Sequence, residues 1–360
     1  MGVNTNRQDQ VKWGILGCAA VAEKVMIPGI QQSHNGTVVA VASRSQQKAE
    51  KFAQSFGIDK AYGNYDAILE DSDVQAVYIP LANSLHCEWT IRAAGRGKHI
   101  LCEKPLSCNV SEAREMIDAC RKHGVLLMEA FAQRFHHHNV RVRQLVNEGR
   151  IGKILRMTAV HSSARPTAGN IRLSKELAGG VLMDKGCYCI NTARFMFGSE
   201  PTSVYATIEW GKESGVDERV ICTIQFSCGG VLQFDTSFSL AENSTYQQSY
   251  ELFGDHGHIY MPKGVGPIEM YRYGELAETH FFIGDDAAMN TKTEKIVCPP
   301  VNQYQFEAEY FAERILKNQP IEHPAENGLA NMKVIDAIYE SAKKSRPVEI
   351  ATESISMPCK

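Results

Sequence analysis

The 360-residue chain lacks any apolar run near the ~20 residues of a membrane-spanning helix, so no membrane partner is expected. It has no block of basic residues interleaved with aromatics, and its formal net charge is −3, which argues against nucleic acid as a partner. Residues 1–10 are polar and lack an apolar signal core; they are expected to form a frayed arm on a cytoplasmic protein. No C-x-x-C occurs, and the 11 cysteines are irregularly spaced. Cys187 and Cys189 form a C-x-C, too tight for the usual structural zinc pair, while Cys18, Cys102 and Cys222 sit in apolar runs as small hydrophobes. All eleven are expected to be reduced thiols in a reducing compartment. The run His136-His137-His138 comes with no carboxylate or cysteine at ligand spacing, and adjacent helical histidines diverge, so no metal is expected.

What is present describes an ordinary globular protein, 44% hydrophobic and 22% charged, long enough for two domains. In the first half, apolar runs alternate with helical patterns. Residues 11–16 (V-K-W-G-I-L) read as a strand running into Gly17-Cys18-Ala19-Ala20-Val21-Ala22 and then a helix to residue 30. Strand, tight turn of small residues and helix is the context of a dinucleotide-binding turn, whose helix amides would supply an anion site. The match is partial, because Gly17 stands at the first glycine position but Ala19 and Ala22 at the next two.

A second strand, residues 37–42, ends in Ser43-Arg44-Ser45. An NAD site carries Asp or Glu there for the ribose hydroxyls. Here Arg44 offers charge and a planar face for a 2′-phosphate, with the serine hydroxyls and Lys48 nearby in sequence, which predicts NADP over NAD. The alternative is that Arg44 is a solvated loop cation. Further strands are expected at 76–79, 99–102 and 125–129, with helices at 45–56, after His86 to Gly95, and at 110–123. This alternation predicts an α/β fold with a doubly wound parallel sheet, whose ligand lies beyond the carboxyl ends of the strands. Gly17, Arg44, Pro80, Lys104 and Ala130 all fall at such ends. Lys104, in Leu101-Cys102-Glu103-Lys104-Pro105, stands where a rigid strand end can aim an ammonium into a cleft; an exposed turn is the plainer reading. Residues 130–148 read as one helix, with Arg134 in its first turn.

After Gly152 the periodicity changes. Strand-like runs at 153–161, 202–209, 219–227, 230–238, 249–253, 258–261 and 268–273, with hairpin-length turns, predict a large, mostly antiparallel sheet with one face for a second subunit to cover. Helices are expected at 303–318 and 327–345. Within this half, G-G-V-L-M-D-K-G-C-Y at 179–188 reads as a glycine turn and a helix with Asp184 and Tyr188 one turn apart. A carboxylate and a phenol on one face suit proton transfer and hydroxyl binding. They equally suit a first-turn helix stabiliser and a half-buried tyrosine. Arg165, Asn170 and Arg172, in the polar loop before it, are candidates for substrate contacts.

These residues resemble the Gfo/Idh/MocA oxidoreductase family over nearly the whole chain. The resemblance is carried by W-G-I-L-G-C-A at 13–19, Glu103-Lys104-Pro105, M-E-A-F at 128–131, Ile151-Gly152 and the 179–188 segment. Asn83-Ser84-Leu85-His86 and Tyr188 make it most similar to the branch with an active-site tyrosine. The resemblance implies an N-terminal Rossmann domain, residues 1–130, and a C-terminal α/β domain, residues 131–360, for substrate and oligomerisation as a homodimer or homotetramer. The C-terminal helices of the latter can pack back on the former. It implies Lys104 and Tyr188 as the catalytic pair with Asp184 shaping a sugar site, NADP as cofactor, and a carbohydrate-like substrate. Gly17, Ala19, Ala20, Val21, Ser43, Arg44, Lys48, Pro80, Leu81, Asn83, His86, Glu103, Lys104 and Arg134 are the expected cofactor contacts. Lys185, Ala82 and Ala132-Gln133 depart from the family's usual residues and leave the exact substrate open. Tyr188 is expected to pass the proton with Lys104 lowering its pKa, or Lys104 to be the acid itself. Oxidation of an aldose or dihydrodiol, and a non-catalytic NADP-binding regulator, are the competing readings.

Overall fold

The computed structural model describes residues 10–239, 247–262, 268–273, 291–299 and 301–351. The arm expected at the amino terminus lies outside the described residues up to position 9. The chain forms two units: Met1–His136 with Glu176–Ala178 and Val301–Met332, and His137–Lys175 with Gly179–Pro300 and Lys333–Lys360.

The first unit is built on β1 (Val11–Leu16), β2 (Gly36–Ala42), β3 (Lys60–Tyr62), β4 (Ala76–Ile79), β5 (His99–Glu103) and β6 (Leu127–Ala130). Their order is β3-β2-β1-β4-β5-β6, every pair parallel. This is the doubly wound order in which the chain reverses direction beside β1, the expected ligand crevice. Helices cover the sheet, so the central strands are apolar on both faces: Trp13, Ile15, Val41, Tyr78 and Leu101 are fully buried. The covering helices are α1 (Ile27–Gln32), α2 (Gln46–Phe56), α3 (Tyr65–Glu70), α4 (His86–Gly95) and α5 (Val110–His123). Helix α5 coincides with the sequence expectation because its ends are chemically marked. Asn109 accepts the Glu112 amide at 3.0 Å, Glu112 returns a bond to the Cys108 amide, and Gly124 closes the end at φ +66°.

One local expectation fails. Residues 130–148 are not one helix: a 3-10 turn, Ala132–Phe135, is followed by an extended His136 and only then by α6 (His137–Asn147). Ala132, Gln133 and Arg134 are all buried, so tertiary packing overrides the helical pattern there. The helix after the first strand contains a wide π turn, Ala22–Met26, before α1.

A later helix, called α8 once α7 (Cys187–Phe197) is counted, spans Gln303–Leu316 and also belongs to the first unit. Its Phe311 ring lies 5.7 Å from Trp13. A Cβ on Gly29 of α1 would lie 2.9 Å from the Gln305 backbone nitrogen, so glycine permits this close helix contact. The last helix, α9 (Ala325–Lys344), supplies residues to both units.

The second unit carries a nine-stranded sheet: β7 (Ile154–Ser162), β8 (Pro201–Trp210), β9 (Asp217–Phe226), β10 (Val231–Ser237), β11 (Gln247–Gly254), β12 (Gly257–Met261), β13 (Ile268–Tyr273), β14 (Thr291–Ile296) and β15 (Val348–Glu349). All pairs are antiparallel except β7 with β10. Alternation sets the two faces. On β9, Val220, Cys222 and Ile224 are buried while Arg219, Ile221 and Gln225 are exposed. Helix α7 packs on the buried face of β7.

Candidate functional site

In the first unit the expected cofactor residues gather at the carboxyl edge of the parallel sheet. Gly17 follows β1 with φ +122°, and a Cβ there would come within 2.9 Å of Leu81 Cδ2 and 3.9 Å of the Tyr65 hydroxyl. The turn therefore presents bare backbone, as close approach of a phosphate requires. Cys18 and Ala19 are half-buried, and Ala20 is exposed at the head of the helical run. Val21 is half-buried in the same run.

Beyond β2, Ser43 is buried and its Oγ accepts the Ser45 amide at 3.3 Å; Ser45 Oγ in turn accepts the Lys48 amide as the N-cap of α2. Arg44 and Lys48 are exposed. Arg44 reaches Tyr65, and its charge counters the upward push that burial gives the Tyr65 phenol. Tyr65 was not singled out by sequence, because nothing in its own segment marks it; the link to Gly17 and Arg44 is made by the fold alone. No carboxylate follows β2 at the Ser43-Arg44-Ser45 turn.

The exits of β4 and β5 are joined by one side chain. Pro80 is buried and Leu81 half-buried. His86 is fully buried, its Nδ1 lying 2.9 Å from Pro105 O and its Nε2 3.1 Å from Leu81 O. Burial holds its pKa below the ordinary histidine value. His86 thus ties the turn carrying Lys104 to the preceding strand exit. Asn83 is engaged as well, its Nδ2 donating to Ala178 O at 2.7 Å. Glu103 accepts the Tyr78 hydroxyl on Oε1 at 2.5 Å and the Lys104 amide on Oε2 at 3.1 Å, which fixes the backbone at Lys104. The Lys104–Pro105 peptide is cis, and Lys104 is half-buried. Arg134 is buried, donating to Asn327 Oδ1 at 2.5 Å. Beside Glu103 and Arg134 lies Glu307, fully buried, with neither carboxyl oxygen hydrogen-bonded among the described residues; burial and then Glu103 push its pKa well up.

In the second unit, a glycine turn leads into a π turn, Leu182–Gly186, and then α7. Within residues 181–190 only Asp184 and Tyr188 are not buried, so they share the one face left open. Asp184 Oδ2 is flanked by two cations, Arg172 Nε at 2.9 Å and Lys185 Nζ at 3.4 Å. Lys185 is itself buried, and its charge offsets part of that carboxylate. The Tyr188 ring lies 5.1 Å from the buried His161 ring of β7. Of the other loop candidates, Asn170 Oδ1 accepts the Arg172 amide at 3.0 Å. Arg165 makes two 2.8 Å bonds to Glu218, so its guanidinium is already engaged. Among the described residues no three His, Cys, Asp or Glu side chains are grouped to hold a metal, and no helix is long and apolar enough to cross a membrane.

Residues 11–131 match the model of an oxidoreductase family with an NAD-binding Rossmann fold, and residues 139–260 match the Gfo/Idh/MocA C-terminal domain. The chain belongs to the Gfo/Idh/MocA oxidoreductase family. Among members of known activity it is 35% identical to the D-xylose 1-dehydrogenase (NADP(+)) 2 of Haloferax volcanii, over 94% of this chain and 99% of the relative. Two solved members share its fold closely. The aldose-aldose oxidoreductase of Caulobacter crescentus, complexed with glycerol, matches with a TM-score of 0.82 at 26% identity, over 94% of this chain and 99% of that one. The 3-ketoreductase KijD10 of Actinomadura kijaniata, with NADP and TDP-benzene, matches with a TM-score of 0.81 at 27% identity, over 92% and 98%. The family resemblance and the α/β architecture read from sequence therefore hold.

Proposed function

We propose that this family member is an NADP(H)-dependent oxidoreductase that moves a hydride between nicotinamide and a CH–OH or carbonyl carbon of a sugar, keto-sugar or polyol. The observation that carries the cofactor half is the bare Gly17 turn with Arg44 and Tyr65 beside it and no carboxylate after β2. Arg44, with Lys48 and Ser43, would hold a 2′-phosphate that a carboxylate would repel. The NADP-dependent relative and the NADP-bound 3-ketoreductase support the same cofactor. Bound NADPH would supply the hydride.

The chain's own residues must stabilise the developing alkoxide and deliver a proton. Lys104 supplies a fixed positive charge, its backbone held by Glu103 and its turn by His86. Tyr188 is the proposed proton donor in reduction and base in oxidation. The same 3-ketoreductase has been solved as a lysine-to-alanine and as a tyrosine-to-phenylalanine variant, the residue types proposed here. Asp184, flanked by Arg172 and Lys185, acts as an ionised acceptor for a substrate hydroxyl rather than as an acid. Of the two directions, aldose oxidation has the D-xylose dehydrogenase in its favour.

We further propose a cytoplasmic homo-oligomer assembled through the open sheet face, where Tyr205 and Ile221 are 43% and 48% exposed on neighbouring strands. The ten described cysteines are all free, in keeping with a reducing compartment. Turnover of D-xylose with NADP+ and of keto-sugars with NADPH, followed at 340 nm, tests the activity. Lys104→Ala and Tyr188→Phe should each lower the chemical step by on the order of 10²-fold with NADPH affinity retained. Near-normal turnover in both would sink the assignment.

A further inference from the structure

One buried carboxylate stands behind the helix that carries Asp184 and Tyr188. Asp217, the first residue of β9, is 1% exposed. Its Oδ2 accepts the Leu182 amide at 2.6 Å, and its Oδ1 accepts the Tyr339 hydroxyl of α9 at 2.9 Å. Leu182 opens the π turn that contains Asp184 and leads into Tyr188. Gly180, two residues earlier, has φ +117°, and a Cβ there would lie 2.0 Å from Asp217 Oδ1. The carboxylate therefore occupies the space that the glycine vacates and bonds one of the otherwise orphaned amides at the start of the helix.

We propose that Asp217 is a positioning residue for the reaction: by binding the Leu182 amide as a carboxylate, it sets the start of the helix and thereby the placement of Asp184 and Tyr188. This rests on the reading of Tyr188 as the proton-transfer residue. Charge is what makes the bond strong, since a carboxylate accepts an amide far better than a neutral carboxyl does. The charge is also conditional. Burial pushes the Asp217 carboxyl up to about 6, against the downward pull of the Leu182 amide and the Tyr339 hydroxyl. The titratable groups facing it are Tyr339 and, beyond that phenol, Asp336 on α9 and Cys187 at the head of α7. Tyr339 is itself held well above its ordinary pKa by burial and by Asp217, so it stays a donor.

The test compares the wild-type chain with Asp217→Asn, Tyr339→Phe and Tyr188→Phe. Two readouts are taken across pH: kcat with D-xylose and NADP+ as the probe pair, and hydrogen exchange of the Leu182 amide in the ligand-free chain. In the wild type, Leu182 protection and kcat should both fall as pH drops through the region where Asp217 takes up its proton. Asp217→Asn should abolish that acid limb and leave kcat reduced by roughly tenfold, with the KM for NADP+ unchanged. Tyr339→Phe removes a donor that favours the carboxylate, so the limb should move to higher pH. An unaltered limb and wild-type kcat in Asp217→Asn, with Tyr188→Phe inactive, would overturn the positioning role alone. Full activity in Tyr188→Phe would overturn the functional reading and the positioning role with it. Exchange is read without substrate, so pH-independent Leu182 protection in the wild type would defeat the inference even if D-xylose is not turned over.

Discussion

At neutral pH the Asp217 carboxylate should destabilise the fold, and replacing it by asparagine should make the second unit harder to unfold. An ordinary aspartate gives up its proton near 3.8, whereas burial raises this one to about 6. A shift of about two units corresponds to about 3 kcal/mol. The folded pKa is raised, so between the two values the folded chain holds more protons than the unfolded chain. The stability from this group is therefore present below the unfolded pKa and declines as pH rises through the window, with the loss complete above about 6. Asparagine keeps the shape and has no such window. The stability gained by Asp217→Asn should be about 1 kcal/mol at about pH 4.5 and about 3 kcal/mol at about pH 7.5. Urea unfolding at both pH values measures this; Trp210, stacked on Tyr339 at 6.2 Å, reports on the same neighbourhood. A gain that does not grow between the two pH values, or a variant that is weaker at the higher one, would refute the assignment of a costly buried charge. The kinetic and thermodynamic outcomes should have opposite signs, as expected where function keeps a strained group in place.

Arg44→Ala should raise the KM for NADPH by roughly tenfold and leave that for NADH nearly unchanged, because the lost contact is to the 2′-phosphate. Equal effects on both cofactors would mark Arg44 as a solvated loop cation after all. Phe311→Ala removes a fully buried ring against Trp13 and should cost about 3–5 kcal/mol of the first unit's stability, read by thermal unfolding. A loss below about 1 kcal/mol would mean that α8 is not part of that core.

Much of this was legible because the chain marks it locally. Helix α5 is bracketed by Asn109 and Gly124, and the β9 alternation survives in the residue pattern. The strand-end positions of Gly17, Arg44 and Lys104 follow from runs that are easy to read. What escaped has no local signature. Strand β3 is three residues long, and β15 is two. Tyr65 reaches Arg44, and Asp217 bonds Leu182, only through the fold. The break at His136 was hidden because Arg134 and Gln133 look like ordinary helix-surface residues but are buried. His86 also sits between two carbonyls, a placement its sequence neighbours do not announce.

Each unit places a five-residue π turn just after a left-handed glycine: Ala22–Met26 after Gly17 and Leu182–Gly186 after Gly180. A π turn holds one residue more than the α turn it replaces. Both helices therefore carry a spare residue at the end that faces chemistry. Removing one residue would restore an ordinary α turn instead of breaking the helix, and the side chains on its two sides would keep nearly the same phase. Such helices absorb a change of length at that turn, and Asp184 lies inside the wide turn while Tyr188 lies just past it. Asp184 and Tyr188, four apart, would share a face in an ordinary α winding too; what the spare residue sets is the finer angle and spacing between the carboxylate and the phenol, which a single deletion would alter and most point substitutions would not.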